Sequence, residues 1–246
     1  MDPSDGKYRK SFRVPMSMCD AGGRLSPVQV AAIFQDAATE DAERRGIGLT
    51  AMREKRFYWL TARAKYRFLA LPRVMSPVVA ATWPNPFHSA LCDRCYSLED
   101  GAGNLLAEGR TEWAVFDLDS GAVARELDPI FLGQPTLEET RCPGRKLRMS
   151  PDFSAAEALG TYAVTSQDID IGQHMNNVAY LRALFSCRSA AELAAAPLAG
   201  LEIVYRSPAL EGETLVLRRR AAADGEEVGI LHADGSPAAL VKLSPS

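Results

Sequence analysis

The chain has 246 residues, 47% of them apolar, with a formal net charge of −3 and an isoelectric point near 5.7. That length holds one large domain or two ordinary ones, and the slightly acidic balance argues against a nucleic-acid binder, which presents a basic face. No run approaches the ~18 apolar residues of a bilayer span, the stretch from Met1 to Gly6 lacks a charged-then-apolar leader pattern, and five scattered cysteines suit a reducing compartment, so the expectation is a cytoplasmic protein with no nucleic-acid or membrane partner.

In chain order, a strand is predicted over Tyr8 to Val14. Ser26-Pro27 then opens a helix, with Ser as N-cap and Pro at the first helical position. Val30, Ile33, Phe34, Ala37 and Ala38 recur at three- and four-residue spacing and give one apolar stripe, and Arg44-Arg45-Gly46 closes the helix. From Arg56 to Asp128 the pattern turns strand-like, over Phe57 to Phe68, Val74 to Trp83, Ser89 to Leu98 and Leu105 to Leu118, with a short strand over Ala122 to Arg125. Leu71-Pro72, Pro84-Asn85-Pro86 and Asp100-Gly101-Ala102-Gly103 separate them. A long helix followed by antiparallel strands can bury its stripe only if the sheet wraps around it.

Between Asp128 and Ala158 the pattern lapses into prolines and charge, which reads as a linker. Its basic cluster, Arg141, Arg145, Lys146 and Arg148, would draw an acidic partner. After it the beginning returns: a shift of 150 positions sets Phe12 over Tyr162, Asp20 over Asp170, Gly22 over Gly172, Arg24 over His174, Ser26 over Asn176 and Val28 over Val178. A repeat of this kind means two copies of one supersecondary plan. The second copy is predicted as a strand over Tyr162 to Ser166, a helix over Asn177 to about Ala194, and strands over Leu201 to Arg206, Thr214 to Ala222, Glu226 to Ala233 and Ala238 to Leu243, with hairpin turns at Asp224-Gly225 and Asp234-Gly235.

The stretch Asp168-Ile169-Asp170-Ile171-Gly172-Gln173-His174-Met175-Asn176-Asn177 precedes the second helix and sets acids, a histidine and two amides within ten residues. One reading is structural, with Asn176 or Asn177 as N-cap, His174 a loop histidine and Asp168 a turn residue. The other is catalytic. The form D-x-D-x-x-x-H-x-N-N-x-x-Y, ending at Tyr180, resembles the active-site signature of the acyl-ACP thioesterases, and Trp59-Leu60-Thr61-Ala62-Arg63 and Glu112-Trp113-Ala114-Val115-Phe116-Asp117-Leu118-Asp119 are similar to further segments of that family.

The resemblance implies an α+β tandem (double) hotdog, each half a long helix wrapped by an antiparallel sheet, the two sheets forming one nearly continuous surface. Residues 1–128 would be an N-terminal hotdog that lines the acyl pocket, 129–158 a linker, and 159–246 a catalytic C-terminal hotdog. The implied activity is hydrolysis of fatty acyl-ACP to free fatty acid and ACP, with acyl carrier protein as partner, no cofactor and no metal. A homodimer stays open, as do two other readings: an acyl-CoA thioesterase of the same fold, or a catalytically weak acyl-thioester-binding protein.

Thioester hydrolysis needs a base or nucleophile at the carbonyl carbon and donors for the oxygen that becomes negative. Asp170 is the candidate nucleophile or general base and His174 its orienting partner, while Gly172, Asn176 and Asn177 are candidates for substrate contact, the backbone N–H groups near the two asparagines polarising the thioester oxygen at the helix N-terminus. The family pattern is broken in two places. Its midway Asn is Gly172 here, and its catalytic Glu and neighbouring Cys fall on Pro208 and Ala209, so Glu202, Glu211 or Glu213 would have to fill the gap if a second carboxylate is needed. Cys92-Asp93-Arg94-Cys95 lacks a second ligand pair for zinc. No G-x-S-x-G elbow marks a serine nucleophile, and His88 and His232 read as surface or turn histidines.

Overall fold

The computed structural model describes residues 5–89, 91–125, 127–144 and 146–246, so Arg145 of the basic cluster and Met1 to Ser4 lie outside the described residues. The chain separates into two compact units, Met1–Pro143 and Gly144–Ser246.

In the first unit, strand β1 (Tyr8–Arg13) leads through a short 3-10 turn (Met16–Met18) to helix α1 (Pro27–Arg44) and helix α2 (Leu49–Glu54). Strands β2 (Phe57–Phe68), β3 (Pro77–His88), β4 (Leu91–Asp100), β5 (Leu105–Asp117) and β6 (Ala122–Val123) and helix α3 (Pro129–Leu132) follow. The strands pair antiparallel in the order β1-β3-β4-β5-β2, with β6 on β5. The start of α1 is as the sequence predicts: the Ser26 hydroxyl accepts from the Gln29 N–H and Pro27 occupies the first turn. Its predicted stripe is the buried one, with Val30, Ile33, Phe34, Ala37 and Ala38 all buried. Phe34 stacks on Tyr96 with centroids 5.0 Å apart, and a Cβ at Gly109 would stand 2.9 Å from the Phe34 ring, so only glycine lets β5 approach the helix there.

Strand β3 departs from expectation. It runs on through Pro84-Asn85-Pro86, predicted to break it, because the register with β4 shifts between Pro84 and Phe87 and the prolines sit in that bulge. Residues after β6 pack back on this unit: Phe131 is buried, the Trp83 indole N–H donates to the Glu139 carbonyl at 2.8 Å, and the Arg141 N–H donates to the Cys95 sulfur at 3.2 Å.

The second unit contains strand β7 (Glu157–Ala163), helices α4 (Asn177–Ser186) and α5 (Ala190–Ala195), and strands β8 (Leu198–Tyr205), β9 (Thr214–Ala222), β10 (Gly225–Leu231) and β11 (Pro237–Pro245). Its strand order, β8-β11-β10-β9-β7, is that of the first unit element for element. The tandem hotdog is therefore two copies of one fold, as the repeat predicts.

The second helix is shorter than expected. It ends at Ser186 because Ser189 starts a new helix, its hydroxyl accepting from the Glu192 N–H while the Glu192 carboxylate accepts from the Ser189 N–H. Strand β7 begins five residues earlier than predicted, at Glu157, where the Arg219 guanidinium bonds the Glu157 carboxylate at 3.0 Å. Before it, Phe153 packs on Leu231 and Leu240, and Arg220 donates to the carbonyls of Ser150 and Asp152. No helix among the described residues is long and apolar enough to cross a membrane.

Candidate active site

The signature stretch folds into a tight hairpin at the entry to α4. Ile169 bridges Met175, the Asp170 N–H donates to the His174 carbonyl at 2.9 Å, and the Asn176 N–H donates to the Asp168 carbonyl at 2.7 Å. Cross-strand partners leave the same side of such a hairpin. The register therefore places Asp170 with His174 on one face, and the two-residue alternation adds Asp168 and Asn176 to it. At the tip Gln173 has φ 63°, a left-handed conformation that a side chain disfavours.

Asp168 anchors this hairpin. Only 2% exposed, it accepts from the Tyr162 hydroxyl, the Thr165 N–H and the Thr165 hydroxyl, each at 2.9 Å, and Arg182 stands 3.6 Å away. Burial pushes its carboxyl up, but the Thr165 and Tyr162 donors and the Arg182 charge outweigh that and hold it below the ordinary aspartate value. It ties the hairpin to β7 and α4.

Asp170 is half-buried and His174 exposed. One oxygen of Asp170 accepts the Gly172 N–H at 2.8 Å, which fixes the carboxylate's direction. The Gly172 backbone thus meets the acid itself. The His174 ring makes no hydrogen bond among the described residues. Asn176 is the N-cap of α4, its side-chain oxygen accepting the Val178 N–H at 2.9 Å. Asn177 is the first helical residue, and its carbonyl accepts from the Tyr205 hydroxyl at 3.1 Å.

The segment where the family pattern breaks runs alongside. Ala209 is fully buried, its carbonyl accepting from the Met175 N–H and its N–H donating to the Tyr180 hydroxyl, both at 2.9 Å. The residue in the family's Cys position is a strut between this segment and the hairpin, and Pro208 is exposed. Tyr180, the last residue of the signature, has its phenol pushed up to about 12 by burial, against the Ala209 N–H and with added pressure from the charges of Glu213 and Asp170. Of the three glutamates predicted to fill the gap, Glu202 accepts the Leu147 N–H at 2.8 Å and Glu211 is exposed, which leaves Glu213 on this side.

His232 stands at the turn after β10, and its ring is paired there: its Nδ1 lies 2.9 Å from Glu213 Oε2 and its Nε2 2.9 Å from Ser207 Oγ. No linear spacing could have revealed this, because the three residues come from the ends of different strands. Burial pushes the Cys92 thiol up to about 12, Cys95 to about 11 and Cys142 to about 12, so they stay protonated and unreactive.

Two family models match the chain: the acyl-ACP thioesterase N-terminal domain over residues 5–131 and the acyl-ACP thioesterase C-terminal domain over residues 154–237. Among solved structures, the fold is similar to the 12:0-ACP thioesterase from Umbellularia californica, at TM-score 0.85 and 15% identity with 100% of each chain covered. It is also similar to an acyl-ACP thioesterase from Bacteroides thetaiotaomicron, at TM-score 0.82 and 18% identity, again with 100% of each chain covered. No curated protein matches the sequence. With both family domains matched in order over most of its length, the chain belongs to the acyl-ACP thioesterase family, hydrolases of the thioester between a fatty acid and acyl carrier protein.

Proposed function

We propose that the hairpin of the second unit is the hydrolytic site and that Asp170 is its base. The observation that carries this reading is the Gly172 N–H on one Asp170 oxygen, 2.8 Å away, with His174 across the hairpin. A carboxylate held through one oxygen presents the other in a fixed direction, which is what general-base attack by water requires. The water proton passes to Asp170 as its oxygen adds to the thioester carbonyl carbon. His174, exposed and uncommitted, orients that water. The oxygen that gains charge faces the N-terminus of α4, whose partial positive charge favours it. On collapse the C–S bond breaks and a thiolate leaves, which needs little protonation.

Gly172 then contributes through its backbone, and the loss of the family's amide side chain is met by an N–H on the acid. The carrier in this reading is acyl carrier protein. Thiol release is measured with acyl-ACP and acyl-CoA for the native protein, Asp170→Asn and His174→Ala. Loss of turnover on the order of 10²- to 10⁴-fold in Asp170→Asn is expected, with acyl-ACP the preferred native substrate. Equal traces from all three proteins would leave only an acyl-thioester binder, and a preference for the CoA ester would move the carrier.

A further inference from the structure

Ser207, His232 and Glu213 stand in the order of a nucleophile, a base and an orienting acid. Ser207 Oγ lies 2.9 Å from His232 Nε2, and His232 Nδ1 lies 2.9 Å from Glu213 Oε2. All three are partly accessible, with the imidazole 18% and the carboxylate 34% exposed. Such a set is recognised by geometry and roles, with no fixed sequence motif. The absence of a G-x-S-x-G elbow therefore does not decide the matter.

We propose that Ser207 is a second nucleophile, slower than the direct route at Asp170, that takes the acyl group from a thioester as a covalent acyl-serine, with His232 as its base and Glu213 holding the imidazole. The acyl donor rests on the reading of the chain as a thioesterase; the triad itself does not. Ser207 Oγ bonds to the carbonyl carbon as its proton passes to His232 Nε2. On collapse the C–S bond breaks, and the Nε2 proton goes to the departing thiolate. Water then adds to the ester carbon, giving its proton to Nε2; the C–Oγ bond breaks and Oγ regains the proton.

The surroundings supply what these steps need. At rest the Ser207 hydroxyl is also 2.9 Å from the Pro237 carbonyl, which fixes its position; having one proton, it donates to Pro237 or to His232 but not to both. The amide after the nucleophile, a usual oxyanion donor, is missing because residue 208 is proline. The Tyr180 hydroxyl lies beside the same segment. Its oxygen accepts from Ala209 N–H at 2.9 Å, while its own proton reaches the Ser207 carbonyl only at 3.5 Å and is the donor at hand for a developing oxyanion beside Ser207. The placement also accounts for a hydroxyl residue directly beside the vacated Glu position.

The test uses the full chain and a fluorophosphonate probe, which reports on an activated serine without any thioester or carrier. Labelling mapped to the Ser207 peptide is expected, absent in Ser207→Ala and slowed on the order of 10²-fold in His232→Asn. Acid-quenched turnover of an acyl thioester should then show the acyl mass on the same peptide. No label at Ser207, a rate unchanged in His232→Asn, or no acyl mass at Ser207 during turnover would each overturn the proposal and leave the three residues as a strut between strand ends. Should His232→Asn fail to fold by circular dichroism, Ser207→Cys decides: alkylation by iodoacetamide that persists well below the ordinary thiol range supports the pair, and an ordinary cysteine profile ends it. Thiol release without labelling sinks the triad alone, and labelling without thiol release sinks the thioesterase reading alone.

Discussion

The two helix-entry hairpins of this chain are the same backbone carrying different chemistry. In the first, Cys19 bridges Leu25, the Asp20 N–H meets the Arg24 carbonyl at 2.7 Å, and the Ser26 N–H meets the Met18 carbonyl at 3.0 Å. In the second, the same bonds join Ile169 to Met175, Asp170 to His174 and Asn176 to Asp168. The aspartate is present in both, so an aspartate at this place is first of all a turn residue. Its carboxylate shows the difference. Asp20 Oδ1 accepts two amides, Gly22 at 2.9 Å and Arg24 at 3.0 Å, whereas among the described residues Asp170 accepts the Gly172 amide and none from His174. In both copies the turn amides fall on Oδ1 and Oδ2 takes none among the described residues, so the acids differ in how firmly the turn holds them, two amides against one. The partner across the hairpin changes as well, from an arginine that donates to the Leu71 carbonyl at 3.1 Å to an imidazole whose ring makes no hydrogen bond among the described residues.

Paired substitutions break or sharpen this contrast. Asn keeps an oxygen for the turn amides but cannot take a proton, so Asp170→Asn should lose turnover on the order of 10²- to 10⁴-fold while Asp20→Asn leaves it unchanged. Parallel steady-state thiol release measures both. If the two variants lose alike, the aspartates share a structural role and the asymmetry is void. The next effect lies across the hairpin: His174→Arg, which copies the first unit, should lower kcat about 10- to 100-fold through misplaced water, whereas Arg24→His should not raise it. A matching pH profile in native protein and His174→Arg would show that the imidazole takes no part.

Much of this was legible in the chain before any coordinates. The repeat predicts the pairing of the hairpins residue for residue, because a turn with its own side-chain-to-backbone bonds is a local structure and local structure follows local sequence. Helix α1 is legible for the same reason, through Ser26, Pro27 and one stripe. What was not legible depends on contacts distant in sequence. The persistence of β3 through Pro84 and Pro86 needs the bulge against β4; the break after Ser186 turns on one capping serine inside an apolar run. Asp168 belongs to the signature, but its three donors come from β7 and the turn after it, which spacing does not reveal. Ser207, His232 and Glu213 meet only once three strands are in register.

The same comparison separates stability from catalysis. Residue 168 is an anchored carboxylate in one copy and its counterpart is Met18 in the other. Removing a buried acceptor strands three donors, so Asp168→Ala should cost ~2–4 kcal/mol, whereas Met18→Ala should cost less than ~1 kcal/mol. Because the folded state holds the Asp168 carboxyl below its usual value of 3.8, its contribution is present above that value and is lost as pH falls through the folded one. Urea titrations at neutral pH and at pH values below 3.8 should show the gap between native protein and Asp168→Ala narrowing on acidification; a gap that holds steady would mean the carboxylate charge does not tie the hairpin.

The smallest expected effect lies at the tip, where the first unit has Gly23 at φ 70° and the second has Gln173 at φ 63°. Glycine visits that conformation freely, and a side chain there costs ~1 kcal/mol. Gly23→Gln should therefore destabilise by ~1 kcal/mol, and Gln173→Gly should gain less than that, because glycine also loses more freedom on folding. Turnover gives the sharper reading. Gly172 sits next to Gln173 and holds Asp170, so a strained glutamine that keeps this amide aimed at the acid predicts that Gln173→Gly is slightly more stable yet slower. A variant that gains stability and keeps full activity would show the glutamine to be a tolerated cost of the turn, unconnected with the direction of the carboxylate.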